Sequence, residues 1–306
     1  MPYRAKKNYK RFEKPKVTNM EVTEPDELIN FLMKKFPDRS HNKVKSWLRN
    51  KTVELNGAVV TLYNQKLIPG DKISIHWKRI ASGRDLKGIT IVYEDSDIIV
   101  INKPAGMLSV ATAKSNETAY SILSKHIKEQ NPNNRIFIVH RLDRETSGLM
   151  MFAKSEEVQA LLQEDWKTNI YDRRYIAVTS GNEPIGDGVY ESYLAQNKAY
   201  VVYSTKDREN GQLAVTHYKT LKTKGRYSLM EINLETGRKN QIRVHMSDLG
   251  QPIIGDKKYG SKENLFNRIG LHAWILGFTH PRTHEKMHFE SNIPNEFLKV
   301  FNDSMI

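Results

Sequence analysis

The chain has 306 residues, 39% hydrophobic and 27% charged, enough for one large domain or two smaller ones with a sizeable core. It contains no apolar run approaching the ~18 residues of a membrane span and no apolar stretch behind its basic N-terminus, so neither a span nor a secretory leader is expected. Cysteine is absent, which removes disulfides, thiolate zinc sites and cysteine catalysis and suits a cytoplasmic location. Lys and Arg total 48 against 35 Asp and Glu, a net charge of +13 that attracts polyanions, nucleic acid foremost.

Residues 1–19 are read as a disordered basic arm, rich in Lys and Arg with little apolar periodicity. From Glu24 the pattern turns helical, with Leu28, Ile29, Phe31, Leu32 and Phe36 on one face. "HNKVKSWLRNK" predicts a second short helix, with Val44, Trp47 and Leu48 inward and Lys43, Lys45, Arg49 and Lys51 outward. "VELNG" reads as a strand entering an Asn-Gly turn, and "LIPGDKISIHW" as a Pro-Gly-Asp turn entering a strand. The predicted domain, residues 20–80, is small and helix-rich with one cationic face. Its basic helix, "VELNG" and "PGDKISI" resemble the small RNA-binding domain first seen in a ribosomal small-subunit protein, the S-four domain, over residues 24–78. The resemblance implies RNA contacts from Lys43, Lys45 and Arg49, although the opening of the helix, "DRSHNKVKSWL", departs from the usual one.

"KRIASGRDLKG" reads as a polar linker, after which strands dominate. They are expected at "ITIVYE", "IIVINKPAG", "RRYIAVTS", "AVTHYKTLKT", "RYSLMEINL" and "RIGLHAWILGFTHP", with helices at "TAYSILSKHIKEQ" and "EEVQALLQEDWKT". Strands outnumber helices without regular alternation, so residues 81–306 are expected to be an α+β domain on a mixed, largely antiparallel central sheet.

Chemistry concentrates in "VHRLDRETSGLMMFAKS", where Arg141, Asp143, Arg144 and Glu145 crowd a loop between two apolar runs. A carboxylate at the edge of a core stays charged only beside a cation. Neighbouring residues on a strand point apart, so a distant arginine is expected as its partner. "LETGRKNQIRVHM" supplies Arg238, Arg243 and His245, which alone would be read as phosphate binders; "ETGR" reads as a turn and "KNQIRVHM" as a helix start. In "DRRYIAV", Tyr175 opens a buried strand and by itself reads as a core tyrosine.

Together, "HRLDRETSGL", "RRYIAV" and "TGRKNQIRVHM" resemble three motifs of the RluA-type pseudouridine synthases, and "NKPAGML", "GDKKYG" and "LHAWILGFTHP" match further family landmarks in the right order, over residues 89–290. The resemblance implies a pseudouridine synthase fold and isomerisation of uridine in RNA. The bond from the ribose to N1 of uracil breaks, the base turns, and C5 joins the same sugar carbon, with no cofactor or metal required. It also implies that Asp143 is the catalytic carboxylate, either attacking the sugar or stabilising positive charge there. Arg243 is its pairing arginine, and Tyr175 stacks on the base. Arg141 helps to displace the base from its stack, and Leu271 forms an apolar wall of the uracil pocket. Arg238 and Arg144 complete the expected substrate-binding set, with Arg144, His140, Glu145 and Thr146 also shaping the loop. Thr146 and Ser147 are expected to bond their own backbone, and Gly148 to let the chain leave the loop.

The sequence departs from the family at Asn240, where His is usual, and at "LSVATA", a loop expected to be peripheral. His280, His284 and His288 are separated by turn residues and are not expected to bind metal. The expected partner is RNA, ribosomal RNA ahead of transfer RNA, engaged by a cytoplasmic monomer.

Overall fold

The computed structural model describes residues 17–49, 52–76, 84–111, 117–164 and 166–302. The chain divides into two compact units, Met1–Ser82 and Gly83–Ile306. Of the expected basic arm, residues 1–16 lie outside the described residues, and Val17–Asn19 belong to a strand.

The first unit runs β1 (Val17–Glu21), β2 (Asp26–Glu27), α1 (Leu28–Lys35), α2 (His41–Arg49), β3 (Val53–Leu55), β4 (Ala58–Val59), β5 (Lys66–Leu67) and β6 (Lys72–His76). Its main sheet is ordered β1-β6-β3-β4, antiparallel throughout, and β2 pairs with β5. Leu28, Ile29, Phe31 and Leu32 of α1 and Val44, Trp47 and Leu48 of α2 bury against Val53, Ile73 and Ile75, so both apolar helix faces fall where their 3.6-residue spacing put them. Asn56 and Gly57 turn the β3–β4 hairpin with φ of 52° and 82°, a conformation for which Asn-Gly is suited.

The second unit begins inside the expected linker: β7 (Arg84–Leu86) pairs with β8 (Ile89–Glu94). There follow β9 (Ile98–Lys103), α3 (Ala119–Gln130), β10 (Phe137–Ile138), β11 (Ser147–Ala153), α4 (Glu156–Glu164), α5 (Trp166–Asn169), β12 (Asp172–Ser180), β13 (Gly188–Gln196), β14 (Val202–Thr205), β15 (Gln212–Lys224), β16 (Tyr227–Leu234), α6 (Gln241–Asp248), β17 (Leu271–Thr279), β18 (Lys286–Glu290) and α7 (Asn295–Lys299). The sheet is ordered β14-β13-β15-β16-β12-β17-β11-β9-β8-β7, with β10 on β11 and β18 on β17. Among the described strands of this sheet only the β11–β17 pairing is parallel, so the sheet is mixed and largely antiparallel. The hairpin of β13 and β14 carries no clear apolar alternation and was not foreseen; β18 was not foreseen either, although Met287 and Phe289 alternate along its five residues.

Two-residue periodicity sorts the central strands between two cores. Ile99, Ile101, Met150 and Phe152 pack under α3 with Ala119, Leu123 and Ile127. Ile98, Val100, Leu149 and Met151 pack on the other face with Val158 and Leu162 of α4. Strand β11 is buried along its whole length, as a strand covered on both faces must be. The strand therefore ends at a fixed place, and the acidic loop that feeds it, residues 139–146, is held at the rim of the sheet.

Candidate active site

The loop between β10 and β11 is pinned from several sides. Lys103, fully buried, donates from Nζ to the carbonyls of Pro104 (2.9 Å), Met107 (2.8 Å) and Arg144 (3.2 Å). Burial lowers its pKa to about 8, with Glu145 and Asp143 acting against that and Arg268 with it. The Ser109 hydroxyl donates to the Leu142 carbonyl (2.7 Å) and accepts from the Leu142 N–H (3.2 Å), directly before Asp143. Ser109 lies in "LSVATA", so that segment is not peripheral as expected; residues 112–116 of the loop lie outside the described residues. The His140 ring accepts from the Met151 N–H at 3.1 Å. Ser147 does not bond its own backbone. Its hydroxyl meets His272 Nδ1 (2.7 Å) and accepts from Arg268 (2.6 Å), joining β11 to the start of β17. Gly148 lies where that parallel pair closes up. Its φ is 115°, and an added Cβ would sit 2.2 Å from the Ala273 carbonyl oxygen, so close approach as well as backbone conformation demands glycine.

The loop opens on a cleft of about 310 Å³. Five cations line it, Arg141, Arg173, Arg238, Lys239 and Arg243, and one carboxylate, Asp143. Such a lining favours a polyanion while leaving a single negative group at the floor. Tyr175, Leu271, Leu234 and Ile242 supply the apolar wall. Tyr175 and Leu271 come from β12 and β17, which are neighbours; the β12 register slips between Arg174 and Tyr175, a local irregularity of the kind that re-aims a side chain. Tyr175 is 8% exposed, and its hydroxyl has no hydrogen-bond partner among the described residues. Burial raises its pKa, opposed by Arg173 and reinforced by Asp143.

Arg243 does approach Asp143, with Nη1 3.6 Å from Oδ2. Its shorter bonds go elsewhere. Nε and Nη2 donate to the two oxygens of Asp256 at 2.6 and 2.8 Å, a bidentate pair with a carboxylate only 1% exposed. Burial works against the Arg243 charge, but the Asp256 bond, with the charges of Asp256 and Asp143, outweighs it and raises the guanidinium pKa. Asp256 stands in "GDKKYG", noted in the sequence only as a landmark. The signal that could have found it is its acidic identity beside two lysines and a glycine turn, but nothing local names its partner. Arg243 is also flanked by the Tyr259 ring, 4.9 Å from its carbon, and by Asn240 Oδ1, 3.2 Å from Nη1.

Asn240, the residue that departs from the family, occupies the position before α6 with φ 54°, which Asn tolerates. Its amide donates to Tyr259 Oη at 3.0 Å, so both ends of the side chain brace Arg243's surroundings. Gln241 organises the turn beside it: Oε1 accepts from Thr236 and the Arg238 N–H, while Nε2 donates to Val215 and Thr216. No sequence argument singled it out.

The other expected site residues separate by position. Arg141 is exposed on the cleft wall without an ion-pair partner among the described residues, and Arg238, which also lines the cleft, is tethered through Nε to the Leu213 carbonyl. Arg144 does not line the cleft; its Nε donates to the Gly106 carbonyl and lies 3.6 Å from Glu145, which ties it to the loop. His245 is not a phosphate binder. It is fully buried between Thr216 and Ser192, and burial lowers its pKa to about 4. His280 is buried against Asp95 and His288 lies 4.0 Å from Asp172. Asp95, Asp97 and His280 converge closely enough for a cation, yet Asp95 already accepts from Tyr93 and two backbone N–H groups, and Asp97 from Arg282. In the first unit, Lys43 and Lys45 lie on α2, Lys45 with its Nζ 4.8 Å from the Tyr63 ring centroid; the Arg49 side chain lies outside the described residues.

Solved structures share this architecture. The chain superposes on human RNA pseudouridylate synthase domain containing 4 with a TM-score of 0.56 at 23% identity, over 68% of this chain and 90% of that one. It superposes on human RNA pseudouridylate synthase domain containing 1 with a TM-score of 0.55 at 24% identity, over 69% and 85%. The fold is thus that of the pseudouridine synthases. A sequence model for RNA pseudouridylate synthase matches residues 97–248, which contain the acidic loop, Tyr175 and Arg243. The chain is 34% identical to the uncharacterized RNA pseudouridine synthase YlyB of Bacillus subtilis over 93% of its own length and 96% of the relative's. It is 31% identical to ribosomal large subunit pseudouridine synthase D of Haemophilus influenzae over 94% and 95%. It is 35% identical to the protein of that name from Neisseria meningitidis serogroup B over 87% and 75%. The chain belongs to the RNA pseudouridylate synthase family and is an RNA pseudouridine synthase.

Proposed function

We propose that this synthase converts a specific uridine of structured ribosomal RNA, of the large subunit, to pseudouridine, with Asp143 as the catalytic carboxylate. The observation that carries the reading is the lone carboxylate at the floor of a cation-lined cleft, 3.6 Å from a guanidinium that a second, buried carboxylate already holds. In this reading Asp143 faces the ribose C1′, where positive charge develops as the bond to N1 breaks. Arg243 sets its guanidinium against that carboxylate, Tyr175 and Leu271 hold the uracil while it turns, and Arg141 fills the stack the base has left. Arg238 contacts phosphate. Relatives named for the large ribosomal subunit support the substrate class. Residues 20–80, as an S-four-like unit with Lys43 and Lys45 on its basic helix, add a second RNA contact; residues 81–306 carry the chemistry. The reaction is placed in the cytoplasm with the chain acting as a monomer. The test is release of tritium from RNA labelled at C5 of uridine. Asp143→Asn is expected to reduce release by at least 10³-fold at unchanged RNA affinity, and turnover retained within tenfold would remove Asp143 from the chemistry. Mapping pseudouridine in total RNA with and without the gene identifies the RNA, a lost site in transfer RNA overturning the ribosomal assignment.

A further inference from the structure

Beside the catalytic cleft lies a second cavity of about 280 Å³, which shares Arg173 and Leu234 with it. Trp166, His217, Asn233 and Glu235 also line it. We propose that this cavity receives the nucleotide next to the target uridine in the RNA strand, and that it selects a base bearing an exocyclic amino group. This inference rests on the synthase reading of the neighbouring cleft and assigns it a second subsite.

The sheet register builds the cavity. His217 on β15 and Asn233 on β16 stand directly opposite one another and so project to the same side, and Glu235, just past the end of β16, lines the same cavity. His217 Nε2 lies 3.3 Å from Glu235 Oε2. The Asn233 side chain is exposed and has no hydrogen-bond partner among the described residues. An amide offers a donor and an acceptor to a base edge, and a carboxylate accepts from an amino group but repels a carbonyl edge. Uracil presents two carbonyls and fits this pair poorly, whereas adenine, cytosine and guanine each offer an amino group. His217 and Trp166 supply aromatic surface of the sort on which unstacked bases rest.

Arg173 ties the two cavities together. Its carbon lies 5.8 Å from the Trp166 ring centroid, and Nη2 donates to the Thr236 carbonyl at 3.0 Å. A Cβ at Gly237 would come within 2.8 Å of Nη1, so the turn lies flat on the guanidinium. The cation thus stands at the boundary, where the phosphate joining two successive nucleotides would pass. Flipping the target uridine breaks its stacking with both neighbours, and a site that holds one of them compensates part of that loss.

The experiment uses the full chain and a synthetic RNA hairpin spanning the mapped target, tritiated at C5 of the target uridine. The flanking nucleotide on either side is left intact, made abasic, or replaced by uridine. Wild-type protein is expected to lose about tenfold in kcat/KM when one particular neighbour is abasic or uridine, within the roughly 5- to 150-fold range of a stacked or bidentate base contact. Asn233→Ala and His217→Ala are expected to lose a similar factor on the intact hairpin, through KM more than kcat, and to lose little further on the abasic one. Wild type indifferent to both neighbours, or variants that keep the full abasic effect, would overturn the subsite. A wild-type protein that releases no tritium even from the intact hairpin sinks the parent reading instead.

Discussion

Asp256 makes the sharpest test of how the site is held. Replacing it by Asn removes the charge that faces Arg243 while keeping the shape of the side chain. Removing one partner of a buried ion pair costs about 3–5 kcal/mol, because the other charge stays buried. Arg243 is only 12% exposed, but Asp143 at 3.6 Å remains to offset part of the cost, so the lower end, about 3 kcal/mol, is expected. For a unit of this size that is a fall of roughly 6–12 °C in Tm, readable by circular dichroism. Freed from its bidentate partner, the guanidinium turns toward Asp143 and draws the carboxylate from its place, so tritium release should fall at least tenfold. The double variant Arg243→Met/Asp256→Leu separates the two effects. Replacing a buried pair with apolar residues of similar size is about neutral for stability, so most of the Tm should return, while turnover should stay lost because Asp143 has no guanidinium. Asp256→Asn with wild-type Tm and wild-type turnover would refute the claim that Asp256 sets the position of Arg243.

Gly148→Ala should destabilise the second unit by roughly 3–5 kcal/mol, seen as a lower urea midpoint, because both the φ of 115° and the Ala273 backbone exclude a Cβ. Asn240→Ala should cost about 0.5–1.5 kcal/mol by removing the brace on Tyr259 and Arg243, and should lower kcat more than it raises KM; an effect on KM alone would place Asn240 on the RNA instead. Acid should weaken the fold through three histidines, His245 and His272 buried and His140 half-buried. Burial lowers His140 to about 3, aided by Arg173, His245 to about 4, and His272 to about 4, aided by Arg268. The unfolded chain takes up these protons near pH 6.5, so the contribution is complete above that pH and is lost as pH falls toward 4 and then 3. Urea unfolding at pH 7 and pH 5 should differ by about 1–2 kcal/mol per histidine, and His140→Gln should flatten the dependence; an unchanged slope would show that His140 is not the group responsible.

Much of this protein can be read without coordinates because periodicity is local. The alternation in "IIVINK" and "LMMFA" assigns residues to opposite cores before any partner is known, and the apolar face of "LINFLMKK" fixes which side of α1 is buried. The density of charge around Asp143 likewise marks a site, since a carboxylate between apolar runs demands a cation. What stayed hidden depends on contacts between distant segments. Strands β13 and β14 gain their definition from neighbours in the sheet rather than from their own pattern, while β18 alternates over only five residues with two apolar side chains, too few to stand out without its partner β17. Arg243 was legible as a cation for Asp143, but its tighter hold on Asp256 was not, because 13 residues separate them and a carboxylate in a glycine turn carries no sign of its partner. His245 reads as a phosphate ligand among cations and becomes a core residue only because α6 turns that face toward β13 and β15. The sequence alone marked where charged groups crowd between apolar runs and which strands are buried, since both follow from residue type and spacing. Tertiary structure decided which charge neutralises which, because ion pairing is a property of distance in space and falls off before chain separation can reveal it.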